Sequence, residues 1–397
     1  MPFRIAVIPG DGIGPEVIEQ GIRVLEEVIQ HTGAGLQFKT YDLGAERYLR
    51  TGEVIPEPIF AELRSADAIY LGAVRDPRVQ DPQYAARLLL RLRFELDLWV
   101  NLRPSRLLAP GLTPLRDAAS IDLVVVRENT EGAYVGIGGQ FKRGTADEIA
   151  IQEDVNTRKG VERIQRYAFE LARQRRQAGH RGRVTMVDKS NALYHAHDLW
   201  QRVFALERQR APEIEAEHLF VDAAAMQLVK DPGRFDVIVT SNMFGDILSD
   251  LASELVGGLG QAPSANINPE TRRGLFEPVH GSAPKHAGKG IANPVGAILA
   301  GAMMLRHLGD EVGANRIEDA VMAAARERRT TKDLGGDLTT TAAAEAVLQR
   351  LERISSSSAL CTRSSRRAAS IVTFCPPARR RRSHHPRPTA TSCGAEP

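Results

Sequence analysis

Short β-branched apolar runs alternate along this chain with stretches whose apolar residues recur at helical spacing, which predicts strands alternating with helices. Phe3–Ile8 is the first such run, and Ile18, Ile22, Leu25 and Ile29 follow it at the spacing of one helix face. The pattern then predicts a strand near 36–42, helical pieces to about 65, a strand over Ala68–Leu71 and a helix around Ala85–Leu98. Ile121–Val126 reads as a strand, and Thr157–Gln177 as a helix leading to a strand over Arg183–Val187. Residues 135–155 are glycine-rich and polar before turning hydrophobic again, which suits a hairpin arm. A further helix–strand pair ends at Phe220-Val-Asp222. Phe235–Thr240 is a buried strand, followed by a helix whose apolar face is Phe244, Ile247, Leu248, Leu251 and Leu255.

Beyond that helix the pattern weakens. Gly257–Asn268 is rich in Gly, Pro and Asn, and Leu275–Pro294 reads as one long ordered loop, a feature that usually carries function. Helices are expected at about 295–308, 315–328 and 340–353, and Ser355-Ser-Ser-Ser358 marks the end of the globular part. The Arg-, Ser- and Pro-rich tail over 355–397 lacks periodicity, so it is expected to be disordered, a translated stretch with no folding function.

Composition changes this picture in three ways. The tail holds 8 Arg and 1 Glu, so it supplies +7 of a net +3 and the rest of the chain carries −4. Basicity is therefore no sign that the folded body binds nucleic acid. All three cysteines (Cys361, Cys375, Cys393) lie in this last stretch, which leaves the body without disulfides or thiolate metal ligands. No apolar stretch approaches a membrane span and the N-terminus opens directly into a strand, so neither insertion nor secretion is indicated and a cytoplasmic protein is expected.

The candidate chemistry centres on Asp246 and Asp250, four apart on the helix after Phe235–Thr240. Carboxylates at that spacing repel, so a positive charge should lie between them. A hard divalent cation such as Mg²⁺ or Mn²⁺ is one candidate, and a solvated acidic face is the alternative. Arg93, Arg103 and Arg127 could converge on an anionic substrate, since each guanidinium can hold a carboxylate by paired hydrogen bonds. Lys189 stands at a strand end, where catalytic residues of α/β proteins sit, and Asp222 stands where a strand gives way to a helix, the place of an N-cap. The turn Pro9–Glu16 suits either tight packing or a ligand loop; it departs from the dinucleotide fingerprint because Pro15 follows the third glycine.

Taken together, Gly-Asp-Gly-Ile-Gly-Pro15, Asn101-Leu-Arg-Pro104, Arg127-Glu-Asn-Thr-Glu-Gly-Ala-Tyr134, Asp188-Lys-Ser-Asn191, Gly245-Asp-Ile-Leu-Ser-Asp250 and Glu277-Pro-Val-His-Gly-Ser-Ala-Pro284 resemble the β-decarboxylating dehydrogenases. That family includes isopropylmalate, isocitrate, homoisocitrate and tartrate enzymes, and the resemblance covers about residues 3–353. It implies an α/β fold with a parallel-rich sheet that is not a standard Rossmann fold. One domain would be built from both chain ends (1–98 and 255–354), and a central domain (99–254) would carry the arm at about 135–155. It further implies that Arg93, Arg103 and Arg127 grip the malate carboxylates. Asp246 and Asp250 would hold Mg²⁺ or Mn²⁺ together with Asp222 from the second subunit of a homodimer. Lys189, also from that subunit, would help remove the hydroxyl proton, and Tyr134 would return a proton to carbon. The cofactor, NAD, would lie against Asn191 and the loop residues Glu277, His280, Gly281, Ser282, Ala283, Lys285 and Asn293, with Asp333 nearby. NADP stays open because Lys285 stands where NAD-using members carry Asp, although Gly336 stands where the NADP pattern has an arginine.

The leucines Leu88, Leu89 and Leu90 are most like those that isopropylmalate members place against the isopropyl group, which implies oxidation of 3-isopropylmalate to 2-oxoisocaproate in leucine biosynthesis. Ala85 and Ala86 replace the glutamate such members carry. Tartrate members share Val100-Asn-Leu-Arg-Pro104 and Ser264–Pro269, so a smaller hydroxy diacid is the alternative, and Arg87 could meet a longer acid. A non-catalytic regulatory subunit is disfavoured because Tyr134, Lys189 and the aspartates are all present. The expected partners are a small hydroxy diacid and a second copy of the chain, with no membrane and no nucleic acid.

Overall fold

The computed structural model describes residues 2–33, 35–81, 83–116 and 120–361. The chain runs β1 (Phe3–Gly10), α1 (Gly14–Thr32), β2 (Leu36–Thr40), α2 (Ala45–Thr51), α3 (Glu57–Ser65), β3 (Ala68–Ala73) and α4 (Tyr84–Glu95). It continues with β4 (Val100–Arg106), β5 (Asp122–Glu128), the hairpin β6 (Gly138–Phe141) and β7 (Ile149–Gln152), then α5 (Arg158–Gln177), β8 (Arg183–Asp188) and α6 (Tyr194–Arg210). The last elements are β9 (Glu215–Phe220), α7 (Val221–Lys230), β10 (Val237–Thr240), α8 (Asn242–Val256), β11 (Pro263–Asn268), β12 (Arg273–Pro278), α9 (Val295–Leu308), α10 (Glu311–Arg326) and α11 (Thr340–Cys361).

Among the described residues ten strands form one sheet in the order β2-β1-β3-β12-β11-β4-β5-β10-β8-β9. It is parallel except where β11 meets β12 and β4, and where β4 meets β5. Alternation along each strand explains why both faces are covered. In β1, Ile5 and Val7 join the core under α1, α9 and α10, whereas Ala6 and Ile8 join the core under α2, α3 and α4. In β5, Val124 and Val126 face α5, whereas Leu123 and Val125 pack with α7 and α8. One face of the sheet thus carries a continuous core. The other carries two clusters, and the strands between them, β12, β11, β4 and β5, present Glu277, Asn266, Asn101, Arg103 and Arg127 instead of aliphatic residues. The candidate site occupies that interruption.

The glycine-rich turn after β1 packs backbone on backbone. A Cβ at Gly12, which has φ +60, would sit 2.0 Å from the carbonyl oxygen of Ser282, and Ile13 donates its N–H to that oxygen at 2.8 Å. The turn therefore fixes the start of the 281–283 loop, and Asp11, Ile13 and Gly14 donate their N–H groups to the carbonyls of Ala73, Ser282 and Asp11.

Several sequence expectations need correction. Gly257–Asn268 contains a wholly buried strand, β11, and Leu275–Pro294 is not one loop because β12 takes its first residues. The helix expected at 315–328 starts at Glu311, where Asp310 caps it by accepting from Gly313 N–H. The helix expected to reach Leu98 ends at Glu95, and Asp97 then adopts φ 49. The last helix, expected over 340–353, continues through Ser355–Ser358 to Cys361. The disorder expected of the tail beyond that point lies outside the described residues.

Candidate active site

A cavity of about 300 Å³ opens between α4 and α8 at the carboxyl ends of β3 and β12. Crevices at that end of an α/β sheet are where ligands bind. Its walls include Leu89, Leu90, Arg93, Arg103, Arg127, Tyr134, Asp246, Glu277, His280 and Gly281. A larger cavity, about 360 Å³, lies on the other sheet face between α5, α9 and α10, and its mostly aliphatic lining includes none of the motif residues except Leu102 and Pro104.

Strand alternation delivers the arginines. Arg103 on β4 and Arg127 on β5 project to the pocket face, opposite Leu102 and Val126, and Arg93 comes from the last turn of α4. All three are buried, Arg127 to 1% exposure. Burying a guanidinium requires partners, and each has them. Arg127 donates to Asp246 and, through Nε at 2.9 Å, to Asn242 Oδ1. Arg103 donates to Ser249 Oγ at 2.9 Å and stands 3.1 Å from both Asp246 Oδ1 and Asp250 Oδ1. Arg93 donates to Glu277 Oε1 at 3.0 Å. The positive charge expected between Asp246 and Asp250 is thus present in the chain as Arg103.

The electrostatics follow from this packing. Burial opposes the charge on Asp246, but Arg127, Arg103 and the Tyr134 hydroxyl outweigh it and hold the carboxyl below its usual range. Burial pushes Asp250 up, and its neighbour Asp246 adds to this against the pull of Arg103. Burial and the nearby Arg103 push Arg127 down to about 9, which leaves it charged at neutral pH. Tyr134 donates to Asp246 Oδ2 at 2.9 Å, its ring lies 5.2 Å from the Arg127 guanidinium carbon, and burial raises its hydroxyl so that it keeps its proton.

On one side of the pocket, Gly72, Ala73, Val74, Ala86, Leu89 and Leu90 make an apolar wall facing these charges. Leu88 is a correction: it is fully buried in the core beneath α4 and does not line the pocket. Arg87 turns outward to Asp81 and Tyr48.

Other expected site residues lie elsewhere. Lys189 pairs with Asp222, which is half-exposed, beyond β10 at the far side of the sheet. Asp222 sits in the first turn of α7 and Phe220 takes the N-cap position. Asn191 is exposed in the turn after β8. Among the described residues no three His, Cys, Asp or Glu side chains converge within one chain. Ser282, Ala283, Lys285 and Asn293 follow the pocket along the 279–294 loop, with Ser282 and Asn293 buried and Lys285 exposed. Asn293 donates to Asp333 Oδ2 at 2.8 Å, which joins this loop to the 331–336 turn. Sequence reasoning gave no role to Asn101, Asn242, Ser249 or Asn266, although Asn101, Ser249 and Asn266 stood inside the quoted motifs. They support the arginines and Glu277 from below.

Two absent groups can be tested against these residues. Asp246 and Asp250 aim carboxylate oxygens at one point, now marked by Arg103 NH1, and an all-oxygen donor set suits a hard divalent cation. His280 lines the pocket with a buried Nε2 that has no hydrogen-bond partner among the described residues, and burial lowers the affinity of its ring for a proton, so a polar group of a bound nucleotide would satisfy it.

Comparison with known proteins agrees with this geometry. The model of the isocitrate/isopropylmalate dehydrogenase family matches residues 4–347. A 3-isopropylmalate dehydrogenase of Thermobifida fusca is 49% identical over 344 residues, covering 84% of this chain and 96% of its own. One of Corynebacterium efficiens is 51% identical over 321 residues, covering 80% and 92%. Among solved structures, isocitrate dehydrogenase from Methylococcus capsulatus aligns with a TM-score of 0.79 at 40% identity, covering 88% of this chain and 99% of its own. The β-decarboxylating dehydrogenase of Thermococcus kodakarensis, in its apo form, gives 0.72 at 38% identity, covering 89% and 97%. With the family model matched over residues 4–347 and a relative 49% identical over 84% of its length, the chain belongs to the isocitrate/isopropylmalate dehydrogenase family.

Proposed function

We propose that the chain oxidatively decarboxylates 3-isopropylmalate to 2-oxoisocaproate, in the cytoplasm and in leucine biosynthesis. The observation that carries this is the apposition of three buried guanidiniums to the aliphatic wall of Val74, Leu89 and Leu90 in one cavity. The arginines would bind the two carboxylates of a malate unit, and the wall would cover its alkyl group. A third carboxylate, as in isocitrate, would face Ala86, Leu89 and Leu90 with no donor, at a cost of several kcal/mol.

Asp246 and Asp250 would hold a divalent cation, which supplies Lewis acidity at the substrate hydroxyl and its neighbouring carboxylate, and NAD on the 279–294 loop supplies the hydride acceptor. Arg103 stands between the two carboxylates and offsets their mutual repulsion. The apolar wall keeps water from the carbon being decarboxylated. Tyr134 holds its proton beside the reacting atoms and delivers it to C3 once CO₂ has left. Lys189 would accept the hydroxyl proton, and its pairing with Asp222 outside the pocket fits a site completed by a second copy of the chain.

A homodimer also accounts for the apolar side chains Ile137, Phe141, Ile149 and Ile151 left exposed on the β6–β7 arm, and for Met226 and Ile247 on α7 and α8. The division into a domain of both chain ends (1–98 and 255–354) and a central domain (99–254) is part of the same proposal; β2, β1, β3, β12 and β11 would belong to the first and the other five strands to the second. Lys285 removes the repulsion an aspartate would offer a 2′-phosphate, so NADP is tolerated behind NAD. The test is stoichiometric: purified full-length chain with 3-isopropylmalate, Mg²⁺ and NAD should release one CO₂ per reduced nicotinamide. Hydride transfer without CO₂ release, or no turnover, would contradict the proposal.

A further inference from the structure

Two of the substrate-facing arginines are joined by a buried relay of side-chain amides. Arg103 Nε donates to Asn101 Oδ1 at 2.9 Å. Asn101 Nδ2 donates to Asn266 Oδ1 at 3.1 Å and to Ser264 Oγ at 2.8 Å. Asn266 Nδ2 donates to Glu277 Oε1 at 2.8 Å, and the same oxygen accepts from Arg93 at 3.0 Å. Asn101 and Asn266 are 0% exposed and face one another in the antiparallel register of β4 and β11.

The orientation of every amide in this chain is forced. Arg103 has only donors, so Asn101 must offer it oxygen. Its nitrogen must then point at Asn266, whose oxygen turns to meet it and whose own nitrogen turns to the Glu277 carboxylate. Asn129 Nδ2 donates to the same Asn266 oxygen at 3.0 Å and locks that assignment from a third strand end. All the dipoles run one way, from the Arg103 cation to the Glu277 anion, so each bond polarises the next. A hydrophobic residue at either position would break this order, which explains why the middle of the sheet carries asparagines where strands elsewhere in it carry valine and isoleucine.

We infer that Asn101 and Asn266 are positioning residues for substrate carboxylate binding: they act through Arg103 and, by way of Glu277, through Arg93, holding both guanidiniums at one separation. Neither asparagine needs to touch substrate. The relay consumes Nε of Arg103 and one N–H of Arg93, and Ser249, Asp246 and Asp250 face Nη1 of Arg103, so the donors for ligand are those that remain. This inference rests on the proposed function, in that the ligand is taken to be a hydroxy diacid.

The experiment measures 3-isopropylmalate affinity by calorimetry, without coenzyme and with Mg²⁺, for the full-length wild type, Asn266→Ala, Arg93→Gln and the double variant, each with its thermal midpoint. Asn266→Ala should weaken the diacid about tenfold, the effect of one lost charge-assisted hydrogen bond. The double variant should lose less than the product of the two single losses, because both changes break the line of action that runs through Glu277 to Arg93. Since alanine could leave too many buried donors unpaired to fold, Asn266→Asp serves as the isosteric partner. It keeps the volume but sets an acceptor against Glu277, and it should lose affinity at least as strongly. Unchanged affinity with only a lower thermal midpoint would overturn the relay, as would losses that simply multiply in the double variant. A wild type that binds no diacid overturns the proposed function and the relay with it, whereas equal binding by wild type and variants overturns the relay alone.

Discussion

Two acid–base clusters in this molecule differ in a way that bears on how the site is completed. In the pocket, Arg103, Arg127, Tyr134 and Asp246 lock one another through several hydrogen bonds, and the arginines are almost wholly buried. Across β10, Lys189 and Asp222 share a single ion pair, and the aspartate side chain is 61% exposed. Solvent screens an exposed pair of this kind, so it holds the second cluster only weakly, and the Lys189 ammonium also lies 5.9 Å from the centre of the Phe220 ring. The first is a preorganised binding site, and the second has the character of residues waiting for a ligand or a second chain.

The largest effect should come from removing the shared member of the first cluster. Asp246→Asn takes away a carboxylate that Arg127, Arg103 and Tyr134 all face. Turnover at saturating Mg²⁺ should fall by roughly 10³-fold. Retention of activity within about tenfold would show that the pocket cluster is structural, and the contrast drawn here would collapse.

The second prediction concerns the outlying pair. Lys189→Met and Tyr134→Phe should each lower turnover by about 10²-fold, within the range for losing a general base or acid. When the two inactive proteins are mixed and allowed to exchange subunits, activity should recover to about a quarter of wild type, because half the pairs are mixed and each has one intact site. No recovery would place Lys189 in its own chain's chemistry or in none.

These two clusters were not equally legible in sequence. The spacing of Asp246 and Asp250 puts them on one helix face and Arg127 stands at the end of an expected strand, whereas nothing in the pattern announced β4, which carries Arg103. Lys189 and Asp222 were legible only through family resemblance, since a strand-end lysine and an aspartate in a helix's first turn are common features. What sequence missed most was β11. Pro263-Ser-Ala-Asn-Ile-Asn268 has the composition of a loop, yet it is buried throughout and sits inside the sheet. Apolar periodicity cannot find a strand whose inward side chains pair with Asn101, Asn129 and Glu277 rather than with aliphatic neighbours. For the same reason Leu275–Pro294 read as one loop although β12 begins it. Leu88 failed the other way: three consecutive leucines look alike in sequence, and only the helix phase turns one of them into the core.

Burial sharpens the contrast by a third route. Glu128, directly after Arg127, is pushed up to about 7 by burial, which the N–H groups of Thr130 and Glu131 only partly offset. A carboxyl raised in the folded state binds its proton more tightly there than in the unfolded chain. Stability should therefore fall as pH rises from about 4.5 to about 7, by about 3 kcal/mol in all. Asp222, held below its usual range by Lys189, works in the opposite direction, with stability lost only at acid pH. Urea midpoints from pH 5 to pH 8 should decline in the wild type and flatten in Glu128→Gln; parallel curves would mean that Glu128 does not titrate in this range.

The smallest effect should be at the exposed Lys285. Lys285→Asp should raise the NAD-over-NADP ratio of kcat/KM by roughly fivefold, the scale of an exposed charge contact. An unchanged ratio would place Lys285 away from the 2′ position.

The central claim is that three arginines face an aliphatic wall built for an alkyl group. It is tested most directly by kcat/KM of the full-length chain for 3-isopropylmalate against isocitrate, under one set of metal and coenzyme conditions. A ratio of at least about 10² follows from leaving a carboxylate without a partner against Leu89 and Leu90. Comparable values for the two acids would contradict it.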